Sequence, residues 1–593
     1  MNNDFLPICK KDMELRGMNE LDVILITGDA YVDHPSYGTA VIGRALEGAG
    51  FTVGIIAQPD PSRLDDFMRL GRPGLFFGVT AGNLDSMVAN FTANKKPRSE
   101  DDYSPGGKSG LRPDRAVIVY TNKIRQAFPG AIVVIGGIEA SLRRLAHYDY
   151  WSDTVKRSIL LDSKADILVY GMGERQILEI ARRLKDNKSV KTMQVIPGTV
   201  FVKNIVDDLK NYELIPSFEE VFKDNDKFLS AFLTLYSEND PVRGKTIVQK
   251  HGTRFVVQYP PAKPFTASQL DYIYGLNYTG RSHPIYDKKG GVPGFETVKL
   301  SIISHRGCAG ECSFCSLFMH QGRIVQSRSR ESILNEIKNI SQDNNFRGTI
   351  TDIGGPTANL YAAKCARWND RGACAAKKCL TPKKCKNLEL GYKETIGLWE
   401  DALKIPGVKH VFVGSGVRYD LLTDEFSDEY LQALCEKHVS GQLKVAPEHC
   451  EASILKLMNK PYFDVYENFI RRFRSVNKHL RKEQYLVNYI ISAHPGATLE
   501  SALALSLKLM KMNIYPEQIQ DYIPLPMTAS GCMYHTEKDF FTGSPIHVAK
   551  GERERKLQRA LIQYKNPENK RYVVEALRAL NKTALAKRFF QKS

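Results

Sequence analysis

Ser-His-Arg-Gly-Cys-Ala-Gly-Glu-Cys-Ser-Phe-Cys-Ser, residues 304–316, spaces Cys308, Cys312 and Cys315 as C-x3-C-x2-C directly after the apolar run VKLSIIS (298–304). The thiols therefore sit on a loop at the end of a strand. Three thiolates can hold three irons of a cubane cluster and leave the fourth iron open to a substrate or cofactor, whereas an electron-transfer cluster is closed by four cysteines. Zinc sites usually pair two C-x2-C hooks and close four ligands, so the spacing favours an open [4Fe-4S] cluster over a zinc knuckle.

Working outward, the runs VKLSIIS, GTITDIGG, VKHVFVGSG, LKVAPEH, YLVNYIISA and IQDYIPL alternate with helical spacers. That alternation predicts a partial (β/α)6 barrel over residues 296–548. Upstream, DVILIT (22–27), TVGIIAQ, LFFGVT, AIVVIGG and DILVY, each joined to the next by a helical stretch, predict a Rossmann-like α/β domain with a parallel sheet over residues 1–200. Thr92–Arg115 is polar and rich in Gly and Pro, which predicts a long mobile or substrate-covering loop. Residues 201–295, where KTIVQKHGTRFVVQYPPAKPF has the pattern of a hairpin, are read as a connector with its own structure. Residues 549–593 are read as a basic helical or disordered tail: from Gly551 to Ser593 there are twelve Lys/Arg and four Asp/Glu.

The cysteine loop resembles that of the radical S-adenosylmethionine (SAM) superfamily, with Phe314 in the aromatic position of C-x3-C-x-aromatic-C. Further resemblances extend down the barrel. Gly354-Gly355 in DIGGP matches the turn where backbone groups meet the amino end of the SAM methionine. VGSGVRYD and KVAPEHCEASILKLMNKP match the strand ends that contact the SAM carboxylate and ribose, which implies roles for Arg418 and for Glu448 or His449. SAHPGATLESAL supplies a Pro495-Gly496 turn, with Ala497 against the adenine. Over nearly the whole chain the sequence is similar to the YgiQ-type family of radical SAM proteins, through ITGDAYVDHPSYGTAVIGR (26–44), GGIEASLRR (136–144), VQKHG, SHRGC, DIGGPTAN and KVAPEH. The resemblance implies a [4Fe-4S] cluster, SAM, an electron donor such as flavodoxin or ferredoxin, and a 5′-deoxyadenosyl radical that takes hydrogen from a substrate C–H bond; it names no substrate. The N-terminal part is also similar to the cobalamin-binding domains that precede many such barrels. The base-off signature places His two residues after Asp, however, whereas Asp33 and His34 are adjacent here and Gly38 follows, so cobalamin is not expected and His34 is left to a substrate site or a loop cap.

At 593 residues, 42% hydrophobic and 25% charged, the chain has room for two or three globular domains. It has no apolar run of membrane-spanning length and no apolar signal region near its first residues, so the cytoplasm is expected and a membrane partner is not. Seven of the eleven cysteines lie between positions 308 and 385. After the triad come Cys365, Cys374, Cys379 and Cys385, among Lys377, Lys378, Lys383, Lys384 and Lys386. Neighbouring lysines should lower the thiol pKa values, and the four suit an auxiliary Fe-S cluster or a structural zinc, with free thiols as the alternative. A net charge of +17 leaves RNA open as a partner. Two other functions stay open at this level: an Fe-S or zinc protein that binds nucleic acid, and an RNA or protein methylthiotransferase. The second lacks the expected N-terminal cysteine triad, since Cys9 is the only cysteine before Cys308.

Overall fold

The computed structural model describes residues 4–190, 193 and 195–590. Two compact units emerge: Met1–Ile303 with Ser316–Glu336 and Arg367–Ala373, and Ser304–Cys315 with Ile337–Ala366 and Cys374–Ser593.

The first unit is built on a nine-stranded sheet. Its strands are β1 (Val23–Thr27), β2 (Val53–Ala57), β3 (Phe76–Thr80), β4 (Val133–Ile135), β5 (Ile167–Val169), β6 (Thr199–Lys203), β7 (Tyr212–Ile215), β8 (Thr246–His251) and β9 (Arg254–Gln258), arranged β7-β8-β9-β6-β5-β4-β3-β1-β2. From β2 to β5 all pairs are parallel. All five residues of β1 are buried, as a strand covered by helices on both faces requires, and each of its aliphatic side chains contributes roughly 1.5–3 kcal/mol by leaving water. Gly38–Gly48 packs beside Glu174–Lys185, and Leu64–Met68 beside Ala116–Ala127.

Residues 201–295 carry strands β7, β8 and β9 of this sheet. The hairpin at β8 and β9 forms as expected, its two-residue turn opened by Gly252 at φ 61°. Its strand β9 then pairs antiparallel with β6, and β6 pairs antiparallel with β5, so the segment extends the N-terminal sheet. Local alternation announces strands but does not say which edges they pair with.

The chain leaves β1 toward β2 on one side and β3 on the other, so a crevice opens at the carboxyl ends of β1 and β3. The Thr92–Arg115 segment enters this crevice rather than covering it. Arg112 is buried, with Nη2 2.9 Å from Asp29 and 3.0 Å from Asp101 and Nη1 donating to the Ala81 carbonyl at 3.3 Å. A Cβ on Gly28 would strike that carbonyl and lie 3.0 Å from Arg112 Cγ. The residue after β1 must therefore be glycine for the arginine to seat.

The second unit carries β10 (Thr349–Ile350), β11 (Asp352–Gly354), β12 (His410–Val411), β13 (Gln442–Glu448), β14 (Tyr485–Ser492) and β15 (Ile519–Asp521), near the positions the sequence indicated. β10 pairs parallel with β12, and β13, β14 and β15 form a parallel run. Helices Tyr392–Leu403, Phe463–Leu480 and Leu499–Lys511 intervene. The last stretch is largely helical. Helices Glu552–Ile562 and Lys570–Ala579 bury Leu557, Leu561, Val573 and Leu577 with Ala502 and Leu503 of Leu499–Lys511. Part of its charge is consumed internally, since Arg559 holds Asp521 at 2.8 Å and Arg553 pairs with Glu575. Among the described residues no helix is long and apolar enough to cross a membrane.

Candidate active site

The cysteine loop is docked onto the end of β11 by its first two residues. The Ser304 backbone N–H and hydroxyl both donate to the Gly354 carbonyl, at 2.7 and 2.9 Å, and the same hydroxyl meets His305 Nδ1 at 2.9 Å. The His305 ring then lies where a side chain at position 355 would be: a Cβ on Gly355 would come within 2.6 Å of it. A Cβ on Gly354 would strike Ser415 Oγ. Asp352 stitches this end together, Oδ1 accepting from Gly414 N at 2.8 Å and from Ser415 N at 3.0 Å. Burial raises the Asp352 carboxyl, with these hydrogen bonds pulling the other way. Gly354 and Gly355 are thus required by packing before any ligand is considered.

Cys308, Cys312 and Cys315 are each half-buried. Hydrogen-bond donors face two of the sulfurs: Gly310 N–H lies 3.4 Å from Cys308 Sγ, and Arg418 Nη1 3.6 Å from Cys312 Sγ. Burial pushes the Cys308 thiol up, opposed first by the Arg418 guanidinium. The planar fork of Arg418, expected to meet a SAM carboxylate, is engaged by Asp420, Nε at 3.1 Å and Nη2 at 2.8 Å. What remains of it points at the cysteine loop. Asn459 supports the loop from beneath, Nδ2 donating to the Glu311 carbonyl at 2.8 Å and Oδ1 accepting from Thr381 Oγ1 at 2.5 Å.

Glu448 ends β13 at a break in register with β14 and takes a left-handed φ of 65°. Such a backbone in a non-glycine residue costs about 1–3 kcal/mol and tends to persist where function holds it. Its buried carboxylate faces Lys460 Nζ at 3.7 Å, and burial raises its pKa against Lys460 and, more weakly, Arg418. Arg418, Glu448 and the triad loop are therefore brought together. Phe314 points elsewhere, edge-on to His494 at 6.2 Å. His494 is fully buried between Ser530 Oγ, 2.6 Å from Nε2, and the Pro495 carbonyl, 2.8 Å from Nδ1. His449 is buried beside it, with Nδ1 accepting from Glu451 N at 3.1 Å. Ala497 is buried, its carbonyl taken by Gln558 at 3.1 Å. His305, His494, Asn459, Lys460 and Asp420 escaped the sequence reading, although all lie inside or beside the quoted motifs.

Burial lowers the His494 imidazole from 6.5 to about 3. A base whose folded pKa is depressed contributes stability that is present above 6.5 and lost as pH falls toward the folded value, at about 1.4 kcal/mol per pH unit. His494→Gln is expected to be less stable than wild type at pH 7, through its lost hydrogen bonds. The gap should close by about 1.4 kcal/mol per unit between pH 6 and pH 5. Urea denaturation at pH 7, 6 and 5 measures it, and a constant gap would mean that His494 is not held neutral.

The second cysteine group is also half-buried. Its lysines do not lower Cys379 as expected. Burial, then Glu311 and the Cys374, Cys365 and Cys385 thiols, push it up to about 12, while the nearby Lys378 is committed to Glu311 at 2.6 Å. Among the described residues no three His, Cys, Asp or Glu side chains converge as ligands of one metal ion. In the first unit, His34 is buried against Phe295, Nδ1 accepting from Ser36 N at 3.1 Å, and burial lowers it to about 4. Asp33 is committed to Arg44 and to Thr279 N.

Three family models match in succession: Radical SAM N-terminal over residues 5–301, Radical SAM superfamily over 302–506, and a domain of unknown function (DUF3362) over 517–586. Together with the α/β architecture they define a radical SAM enzyme, and favour neither a nucleic-acid-binding Fe-S protein nor a methylthiotransferase. The chain is 49% identical to a UPF0313 protein of Clostridium botulinum (strain 657 / Type Ba4) over 97% of its own length and 90% of that relative's. It is 48% identical to a UPF0313 protein of Methanosarcina mazei over 96% of each. The chain belongs to the UPF0313, or YgiQ-type, family of radical SAM proteins. Among solved structures, the radical SAM methyltransferase TsrM from Kitasatospora setae, with cobalamin and a [4Fe-4S] cluster bound, is 15% identical with a TM-score of 0.48, over 86% of this chain and 77% of that one. The cobalamin-dependent radical enzyme OxsB is 12% identical with a TM-score of 0.48, over 96% and 63%.

Proposed function

We propose that Cys308, Cys312 and Cys315 hold the [4Fe-4S] cluster and leave one iron for SAM. The observation that carries this reading is the pair of donors, Gly310 N–H and Arg418 Nη1, aimed at the sulfurs of Cys308 and Cys312. Hydrogen bonds to ligand sulfur are a means by which a protein sets a cluster's potential. When bound, the cluster and SAM supply one-electron cleavage of the sulfonium to a 5′-deoxyadenosyl radical that takes hydrogen from substrate.

This chain's own residues prepare that chemistry. Arg418, locked by Asp420, places fixed positive charge beside the thiolates and favours their ionised form. Gly354 and Gly355, whose Cβ positions are taken by Ser415 and His305, would meet the methionine of SAM through their backbone, and Glu448, held by Lys460, would offer its carboxylate to the ribose. Phe314 packs edge-on against His494. We read the resident cofactors as cluster and SAM without cobalamin, because Arg112 fills the crevice between β1 and β3 and His34 is buried against Phe295. The setting is the cytoplasm, with a low-potential carrier such as flavodoxin or ferredoxin as donor.

Anaerobic incubation of the reconstituted protein with SAM and dithionite is expected to release 5′-deoxyadenosine. A protein that carries its full iron and releases none would sink the reading.

A further inference from the structure

Between Tyr361 and Gly391 the chain forms a long loop whose one helix is Arg367–Arg371. Loops of such length with little regular structure are uncommon and are usually functional or disordered. Its buried apolar residues are few, chiefly Trp368, Leu380 and Leu388. The loop's base is closed by a two-way backbone pairing of Lys364 with Glu389, at 3.0 and 2.9 Å. That pairing sets Cys365 near the return strand, while Cys385 N donates to the Cys379 carbonyl at 2.8 Å. Cys365, Cys374 and Cys385 are all within electrostatic reach of Cys379, and Lys377, Lys383, Lys384 and Lys386 of the same loop are exposed.

We propose that Cys365, Cys374, Cys379 and Cys385 bind a second iron–sulfur cluster, closed by four thiolates, that passes single electrons to the cluster on Cys308, Cys312 and Cys315. The electron-transfer role rests on the function proposed above; the metal site does not. Four cysteines leave no open iron, which is the coordination of an electron carrier rather than of a SAM-binding cluster. Thiolate-ligated clusters are anionic, and Lys377, Lys383, Lys384 and Lys386 give the same loop four positive charges. A zinc ion would draw the same four sulfurs to about 2.3 Å from one point, and the zinc and sulfide counts below separate the two.

The loop is also fastened to the triad. Lys378 reaches Glu311, which lies between Cys308 and Cys312, at 2.6 Å. Thr381 bonds to Asn459, whose amide holds the Glu311 carbonyl. In the transfer, a low-potential one-electron reductant loses one electron and the second cluster gains it; that cluster is reoxidised as the triad's cluster is reduced, and no bond or proton changes.

The full chain, reconstituted anaerobically, tests this by iron, zinc and acid-labile sulfide counts and by EPR with dithionite, with and without SAM. The Cys308/Cys312/Cys315→Ala variant is expected to keep about half of the wild-type iron, with a signal that SAM does not move. The Cys365/Cys374/Cys379/Cys385→Ser variant should keep the other half, with a signal that SAM does move. Should the quadruple variant fail to fold, the triple variant decides alone. No iron in the triple variant, or one zinc per chain in its place, overturns the second cluster and leaves the triad reading standing. Reduction of the triad's cluster by a one-electron carrier protein, sampled by freeze-quench EPR, should slow at least about 10-fold without the second site, and an unchanged rate overturns the relay.

Discussion

Exchanging Cys312 for Ala is expected to reduce SAM cleavage to below about 0.1% of wild type, equivalent to about 4 kcal/mol of lost transition-state stabilisation or more. Two thiolates cannot retain a cubane that three hold at its minimum. The substitution also strips the acceptor from Arg418 Nη1, which faces Cys312 Sγ at 3.6 Å, and leaves a buried guanidinium nitrogen without it. Release of 5′-deoxyadenosine under anaerobic dithionite measures the loss, and EPR should show that the SAM-sensitive signal has gone with it. Thermal unfolding serves as the control, because the loop is held at both ends by backbone bonds that do not involve the thiol: Ser304 to Gly354, and Ser313 N to the Met458 carbonyl at 2.9 Å. Cleavage above a tenth of wild type would remove Cys312 from the ligand set.

The second large effect concerns stability. Arg112→Ala is expected to destabilise the N-terminal unit by about 3–5 kcal/mol, because it leaves Asp29 and Asp101 buried without their partner. The loss should depend on pH in a definite sense. Burial already raises Asp29 from 3.8 to about 6 despite Arg112. An acid whose folded pKa is raised binds its proton more tightly in the folded state, so stability falls as pH rises from 3.8 through the folded value. Without the guanidinium that window extends upward, and the variant should lose more at pH 8 than at pH 5. Urea denaturation at both values decides, and a loss under about 1 kcal/mol at pH 8 would show that the arginine does not hold the crevice.

What the sequence made legible, and what it hid, divides along contact range. The triad could be read because its three cysteines lie within eight positions on one loop, and the strand ends because each motif is a local turn. The strands β6 to β9 were visible, but their membership of the N-terminal sheet was not, since β5–β6 and β6–β9 pairing is a matter of which edges meet. Arg112 was buried in a segment whose Gly and Pro content marks a loop and says nothing of where the loop goes. Asp420, two residues from Arg418, bonds its Nε and Nη2, a contact that spacing alone does not rank. The thiol at Cys379 went against expectation for a similar reason, because counting lysines ignores that burial outweighs them.

The nine-stranded sheet has a practical consequence for dividing this chain into parts. A fragment ended at residue 200, where the local pattern pauses, would cut β6 after Val200 and remove β9, leaving Thr199 and Val200, the two residues that pair with Leu168 and Val169 of the buried β5, as an edge with unpaired N–H and C=O groups. An open, apolar edge of that kind recruits strands from neighbouring molecules. Such a piece would be expected to accumulate as insoluble material, while one carried on to residue 303 would keep β6 in place and present β7, whose outward positions include exposed Tyr212 and Leu214, as its natural border.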